Sequence, residues 1–293
     1  MRLNPFNPND IQVRRGGGGG GGFPGGGGGK IGCGTLVIVV IGALVFGADP
    51  AQMLGTIDSM QQAAPSEPTT PAQSGQGAAE ICGENAYATE ACNALASLNS
   101  TWQPLFQQAN VSFTPPTLTF LQGGQIGTGC GPASSAMGPF YCPADQTIYI
   151  DTSFYDMMDR EMGAGGDFAR YYVIAHEYGH HVQTLTGLSD YVRRQQQANP
   201  GSANQWQVRM ELQADCYAGV WAGKNRNLIE PGDFEEGMTA ASAIGDDTLM
   251  RNAGQSVNTE SFTHGSSAQR MQALRLGLES GDDTKCDAIV AGG

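Results

Sequence analysis

The stretch from Phe168 to Leu185 constrains this chain more than any other. It sets an apolar run, Tyr171-Tyr172-Val173-Ile174-Ala175, directly before His176-Glu177-Tyr178-Gly179-His180. Asp167 can cap a helix at its start and Gly187 lies just beyond its end, so the pattern predicts a helix over 168–185. A helix with so apolar a flank is embedded in an interior and is not a solvated rod. His176 and His180 then share one face, and both imidazoles can reach a single ion. Glu177 can reach a water on that ion but is poorly placed to bind the ion itself. By itself the pattern also suits a pair of surface histidines.

Two further features narrow the choice. The chain has four histidines, and three stand at 176, 180 and 181. Downstream, Ser202 and Gln205 predict a capping box for a helix through about Trp221, which carries Glu211-Leu212-Gln213-Ala214-Asp215. Glu211 and Asp215 share one face of it, and Ala214, Ala218 and Gly219 are small enough to let a neighbouring helix come close. Glu211 is the candidate third ligand of a His₂Glu zinc site that keeps a fourth position open. Asp215 is the candidate acceptor for the spare ring N–H of a ligating histidine. His181 points about 100° away from His180 and reads as structural. His264, in Thr263-His264-Gly265-Ser266-Ser267, is a candidate donor to the oxyanion formed when an amide is attacked, with Arg270 a helical turn further on. A surface histidine near a helix cap is the equally weighted alternative.

The rest of the chain sets the frame. Of 43 glycines in 293 residues, 12 lie between Gly16 and Gly29, so residues 1–30 are expected as a flexible tail. Ile31 to Ala48 is uncharged and long enough as a helix to cross a bilayer. Basic residues precede it and none follows until Arg160, which predicts a single retained span with the N-terminus cytoplasmic and the C-terminal part periplasmic or extracellular. Residues 49–80, rich in Pro, Gln, Ser, Thr and Ala, read as a linker, leaving 81–293 as the folded domain. Within it, Asp233 with Glu236 and Ser266 with Gln269 mark further helix starts. Strands are expected at Leu118–Leu121 and Thr147–Asp151, the latter as an edge strand able to pair with an extended peptide. A few strands and then a run of helices indicate an α+β domain. The net charge of −13 disfavours a nucleic-acid partner. Six cysteines follow the apolar stretch, an even number suited to disulfides. Cys130 and Cys142 bracket a loop rich in Gly and Pro and are expected to pair. Cys82, Cys92, Cys216 and Cys286 stay open, with Cys216–Cys286 and Cys82–Cys92 one option.

Taken together, these residues resemble the bacterial neutral zinc metallopeptidase family. The likeness runs from about residue 80 to 286. It includes Cys130-Gly131, Gly138-Pro139-Phe140-Tyr141-Cys142-Pro143, HEYGHHVQ at 176–183, ELQADCYAGVW at 211–221 and THGSSAQR at 263–270. The resemblance implies a zincin-like fold, mostly helical with a small sheet, and a Zn²⁺-dependent peptidase acting on protein or peptide substrates. The E-x-x-x-D and T-H-x-x-x-x-x-R elements are also similar to those of the CAAX-processing and heat-shock membrane metallopeptidases. There a histidine near the C-terminus is regarded as stabilising the transition state, which raises the weight on His264. This chain departs from them in its single expected span and in having no proline after His264. The expected function is a zinc-dependent endopeptidase of envelope or extracytoplasmic proteins, with a catalytically silent zincin-fold scaffold as the alternative.

Overall fold

The computed structural model describes residues 1–16, 73, 75–123 and 125–291. They form a mostly helical α+β fold with a small sheet. Strand β1 (Gln12–Gly16) comes first, and α1 (Gln76–Cys82) and α2 (Ala86–Gln108) are the next described elements. Strands β2 (Thr117–Leu121), β3 (Gln125–Thr128), β4 (Gly131–Ser134), β5 (Phe140–Cys142) and β6 (Thr147–Ile150) follow. The helical part then comprises α3 (Ser153–Arg160), α4 (Asp167–Leu185), α5 (Leu188–Ala198) and α6 (Ala203–Lys224). It ends with α7 (Asp233–Ala243), α8 (Asp246–Asn252), α9 (Ser267–Ser280) and α10 (Thr284–Ala291).

The main sheet has the order β1-β2-β6-β5, with β1–β2 and β2–β6 parallel and β5 antiparallel to β6. Every residue of β2 is buried, as in a parallel strand covered on both faces. Thr147–Ile150 is therefore an interior strand and not the expected edge. The strand at that edge is β5, whose Tyr141 reaches α4. Aromatic and β-branched residues at 147–150 fit a buried strand, and their pattern does not reveal which neighbours flank it.

The N-terminal expectation also fails for residues 1–16. Met1, Leu3, Ile11 and Val13 are buried in the main core, and β1 pairs with β2 from Gln12↔Thr117 to Gly16↔Leu121. Ile11 and Val13 alternate with polar Gln12 and Arg14, the period of a strand with one buried face. Val13 and Gln73 exchange two backbone hydrogen bonds, and α1 begins inside the expected linker. Residues 1–16 and the rest of the described chain thus share one core. The expected span Ile31–Ala48, the glycine tract and most of the linker lie outside the described residues. Among the described residues no helix is long and apolar enough to cross a membrane.

Helix α6 packs between α4 and α9. Glycine makes both approaches possible. A Cβ on Gly179 would lie 2.8 Å from the Ala214 Cα, and one on Gly277 would lie 1.9 Å from the Cys216 carbonyl oxygen. Three disulfides brace the frame: Cys82–Cys92 joins α1 to α2, Cys130–Cys142 joins the β3–β4 turn to β5, and Cys216–Cys286 joins α6 to α10. Of the expected capping boxes, only Ser266 with Gln269 forms. The Ser202 side chain makes no cap bond. Asp167 and Asp233 are first residues of their helices and not caps, because both carboxylates accept hydrogen bonds from the Met1 amino group, at 3.0 and 2.6 Å.

Candidate metal centre

Helices α4 and α6 bring His176, His180 and Glu211 together. One ligand atom from each lies within 4.8 Å of the others. Glu211 Oε2 is 3.1 Å from His176 Nε2 and 3.5 Å from His180 Nε2. Ligands about 2.0–2.2 Å from a tetrahedral zinc ion are separated by roughly 3.3–3.6 Å, close to the 3.1 and 3.5 Å between Glu211 and the two imidazoles. The close approach at Gly179 and Ala214 sets this spacing, because Ala214 lies one turn beyond Glu211 on α6.

The outer face of each imidazole is tied. His176 Nδ1 is 2.8 Å from Asp215 Oδ1, which also accepts from the Tyr172 hydroxyl at 2.6 Å. Arg270, fully buried on α9, grips the Asp215 carboxylate with two hydrogen bonds of 2.9 Å. His180 Nδ1 is 2.9 Å from Gln183 Oε1, and the Gln183 amide donates to the Met210 carbonyl and to Gln213 Oε1. With Nδ1–H donated outward in both rings, each Nε2 lone pair is turned toward Glu211.

The local field favours positive charge. Burial works against the charged form of His176, yet Asp215 and Glu211 outweigh it and hold its pKa up at about 10. His180 is raised in the same way by Glu211. Burial disfavours the Glu211 carboxylate, but His180 and His176 hold it well below the usual range. Asp215, also opposed by burial, is held down at about 2 by Arg270 and His176. A pocket that stabilises cationic imidazoles stabilises a divalent cation in their place. Glu177 sits beside the cluster, buried, and burial pushes its carboxyl up while both imidazoles pull it down.

The remaining expectations divide. Arg270 is not a free oxyanion donor, since its guanidinium is committed to Asp215 and Tyr172. His181 is fully buried away from the cluster, between the Tyr141 hydroxyl at Nδ1 and the Thr114 carbonyl at Nε2. Burial lowers its pKa to about 4, so it is a neutral link between α4 and the sheet. His264 is buried with Nδ1 3.0 Å from Asp246 Oδ1, while its Nε2 has no protein partner among the described residues. Sequence reasoning missed Tyr172, Gln183 and Asp246. Gln183 was findable, because it lies three residues after His180 on the same helix.

These features define a mostly helical α+β protein with a buried His-His-Glu cluster built on two packed helices. The chain belongs to the family described as "Putative neutral zinc metallopeptidase", whose pattern matches residues 4–289. It is 48% identical over 198 residues to the uncharacterized protein YpfJ of Escherichia coli K12, covering 67% of this chain and 69% of that one. It is 39% identical over 264 residues to the uncharacterized protein Rv2575 of Mycobacterium tuberculosis H37Rv, covering 85% of each. No solved structure matches the chain.

Proposed function

We propose that this protein is a zinc-dependent endopeptidase acting on protein or peptide substrates in an oxidising compartment. The observation that carries the reading is the convergence of His176 Nε2, His180 Nε2 and a Glu211 oxygen on one point, with Glu177 alongside. His176, His180 and Glu211 would hold the zinc ion. When bound, zinc supplies Lewis acidity for the scissile carbonyl and for water. Glu177 takes the proton from the attacking water and passes it to the leaving amine. Burial raises its carboxyl pKa, the direction that favours a group able both to take and to return a proton. His264 offers Nε2 to the oxygen that gains charge. Asp215 and Gln183 keep the ligating rings in the tautomer that exposes Nε2. The family name supports the zinc and the peptide bond.

The deciding experiment compares the full chain with Glu177→Gln on unfolded casein. The variant should keep its zinc, measured by elemental analysis, and lose cleavage. Equal cleavage by the two proteins would sink the mechanism.

The three disulfides support the compartment, since structural disulfides persist where thiols are not kept reduced. The shared core supports the reading that residues 1–16 lie in the same compartment as the site. Exposed Asn4 and Gln255, each changed to Cys with Cys33 replaced by Ser, should react from the same side of an intact membrane with an impermeant maleimide. Labelling of the two from opposite sides would overturn this.

A further inference from the structure

The geometry assigns Asp246 as the positioning residue that aims His264 Nε2 at the peptide carbonyl. The assignment rests on the peptidase reading above. Asp246 opens α8 and is almost fully buried. One carboxylate oxygen, Oδ2, accepts three consecutive backbone N–H groups, from Thr263 at 2.8 Å, His264 at 2.7 Å and Gly265 at 3.0 Å. The other, Oδ1, lies 3.0 Å from His264 Nδ1. The Asp246 N–H in turn donates to the Gly265 carbonyl at 2.9 Å. One side chain therefore fixes the backbone of the 263–265 turn and the rotation of the imidazole it carries.

That turn is laid against the helix that presents Glu211. Gly265, at φ +91°, would place a Cβ 3.2 Å from Leu212 Cδ2 and 3.3 Å from Val208 Cγ1, the residue after Glu211 and the residue about one turn before it on α6. Within this setting His264 Nε2 is buried and lacks a protein partner. A buried polar nitrogen without a partner is rare and calls for a reason. A substrate oxygen meets the need, because a ring tied at Nδ1 to a carboxylate has only Nε2 left to offer. A carboxylate on the far side favours positive charge on the ring as negative charge develops on the near side.

A purely structural Asp246 would need only its bonds to the turn. Asp246→Asn separates the two roles, since it keeps one oxygen for the three N–H groups and puts an NH₂ where Oδ1 received Nδ1–H. On full-length protein with casein as the probe, this variant should keep its zinc and its melting temperature. Its kcat should fall about 10–100-fold, with KM changing much less. In a His264→Gln background the same change should cost nothing further. Equal losses in both backgrounds, or a loss confined to thermal stability, would overturn the assignment. A second readout is independent of turnover. Proton NMR of the full-length chain should show a low-field Nδ1–H resonance that disappears in His264→Gln and in Asp246→Asn. Its persistence in Asp246→Asn would also overturn the assignment, whereas wild-type protein that shows the signal but cleaves nothing would refute the peptidase reading alone.

Discussion

Two clusters of potential ligands in this molecule differ in what faces their centres. In the first, His176, His180 and Glu211 direct donor atoms at a common point while their outer atoms are held by Asp215 and Gln183. In the second, Asp167, Asp233 and Glu236 bring carboxylates just as close, but the Met1 ammonium lies between Asp167 and Asp233. Glu236 is spent on the Phe168 N–H. The first cluster has two soft nitrogen donors and a locked tautomer, the makings of a zinc site. The second already holds its cation and acts as a clasp between the N-terminal segment, α4 and α7. Proximity of acidic and imidazole groups does not make a site unless the donors are aimed and unspent.

The largest effect that would break this comparison is at Glu211. Glu211→Ala should remove bound zinc and bring cleavage to background, because two imidazoles alone leave the ion half held. The matched change Glu236→Ala in the clasp should leave zinc content and cleavage untouched. Both are read by elemental analysis and casein hydrolysis. Zinc lost from the Glu236 variant and retained in the Glu211 variant would reverse the roles given to the two clusters.

A smaller effect is expected at Gly179. Valine there would drive a branched side chain into the backbone of α6, since even a Cβ sits 2.8 Å from the Ala214 Cα. Overpacking of this kind costs about 1–3 kcal/mol. Here it should also push Glu211 away from the histidines, so zinc affinity, measured against a chromophoric chelator, should fall along with stability. A loss of stability with unchanged zinc affinity would show that α4–α6 spacing does not set the site.

The two clusters also differ in how far they could be read from sequence. The first lies on two helices with i, i+4 spacing, so local periodicity placed His176, His180, Glu211 and Asp215 on the correct faces. The second joins residues more than 160 positions apart. Nothing near Met1 announces a partner, and the glycine tract after Gly16 hid the strand pattern of Ile11 to Arg14. Asp246 escaped for a related reason: it meets the turn that carries His264 from helix α8, 18 residues away. Arg270 was legible as important, but its direction was not. From sequence it stood one turn from His264, while the fold turns it toward Asp215 on α6. Thr147–Ile150 was recognisable as a strand, but its interior position depends on β2 and β5.

The smallest effect concerns the clasp and its pH dependence. Burial lowers the pKa of the Met1 ammonium, but hydrogen bonds to Asp233 and Asp167 outweigh burial and raise it above its ordinary value. A group whose folded pKa is raised binds its proton more tightly in the folded chain than in the unfolded one. Its contribution to stability is therefore fully present below the unfolded value, about 8, and is lost as pH rises through the folded value. Asp233→Asn removes the carboxylate 2.6 Å from the nitrogen. It should cost about 1–3 kcal/mol at pH 7, the usual loss when a buried charged hydrogen bond loses its partner. The measurement is the difference in unfolding free energy between wild type and Asp233→Asn, in a chain beginning at Met1, from pH 6 to pH 10. The difference should be level up to about pH 8 and then shrink, while zinc content and cleavage at pH 7 stay as in wild type. A difference that grew with pH would show that Asp233 does not stabilise this ammonium, and that the clasp owes its strength to the packing of Met1 and Leu3 instead.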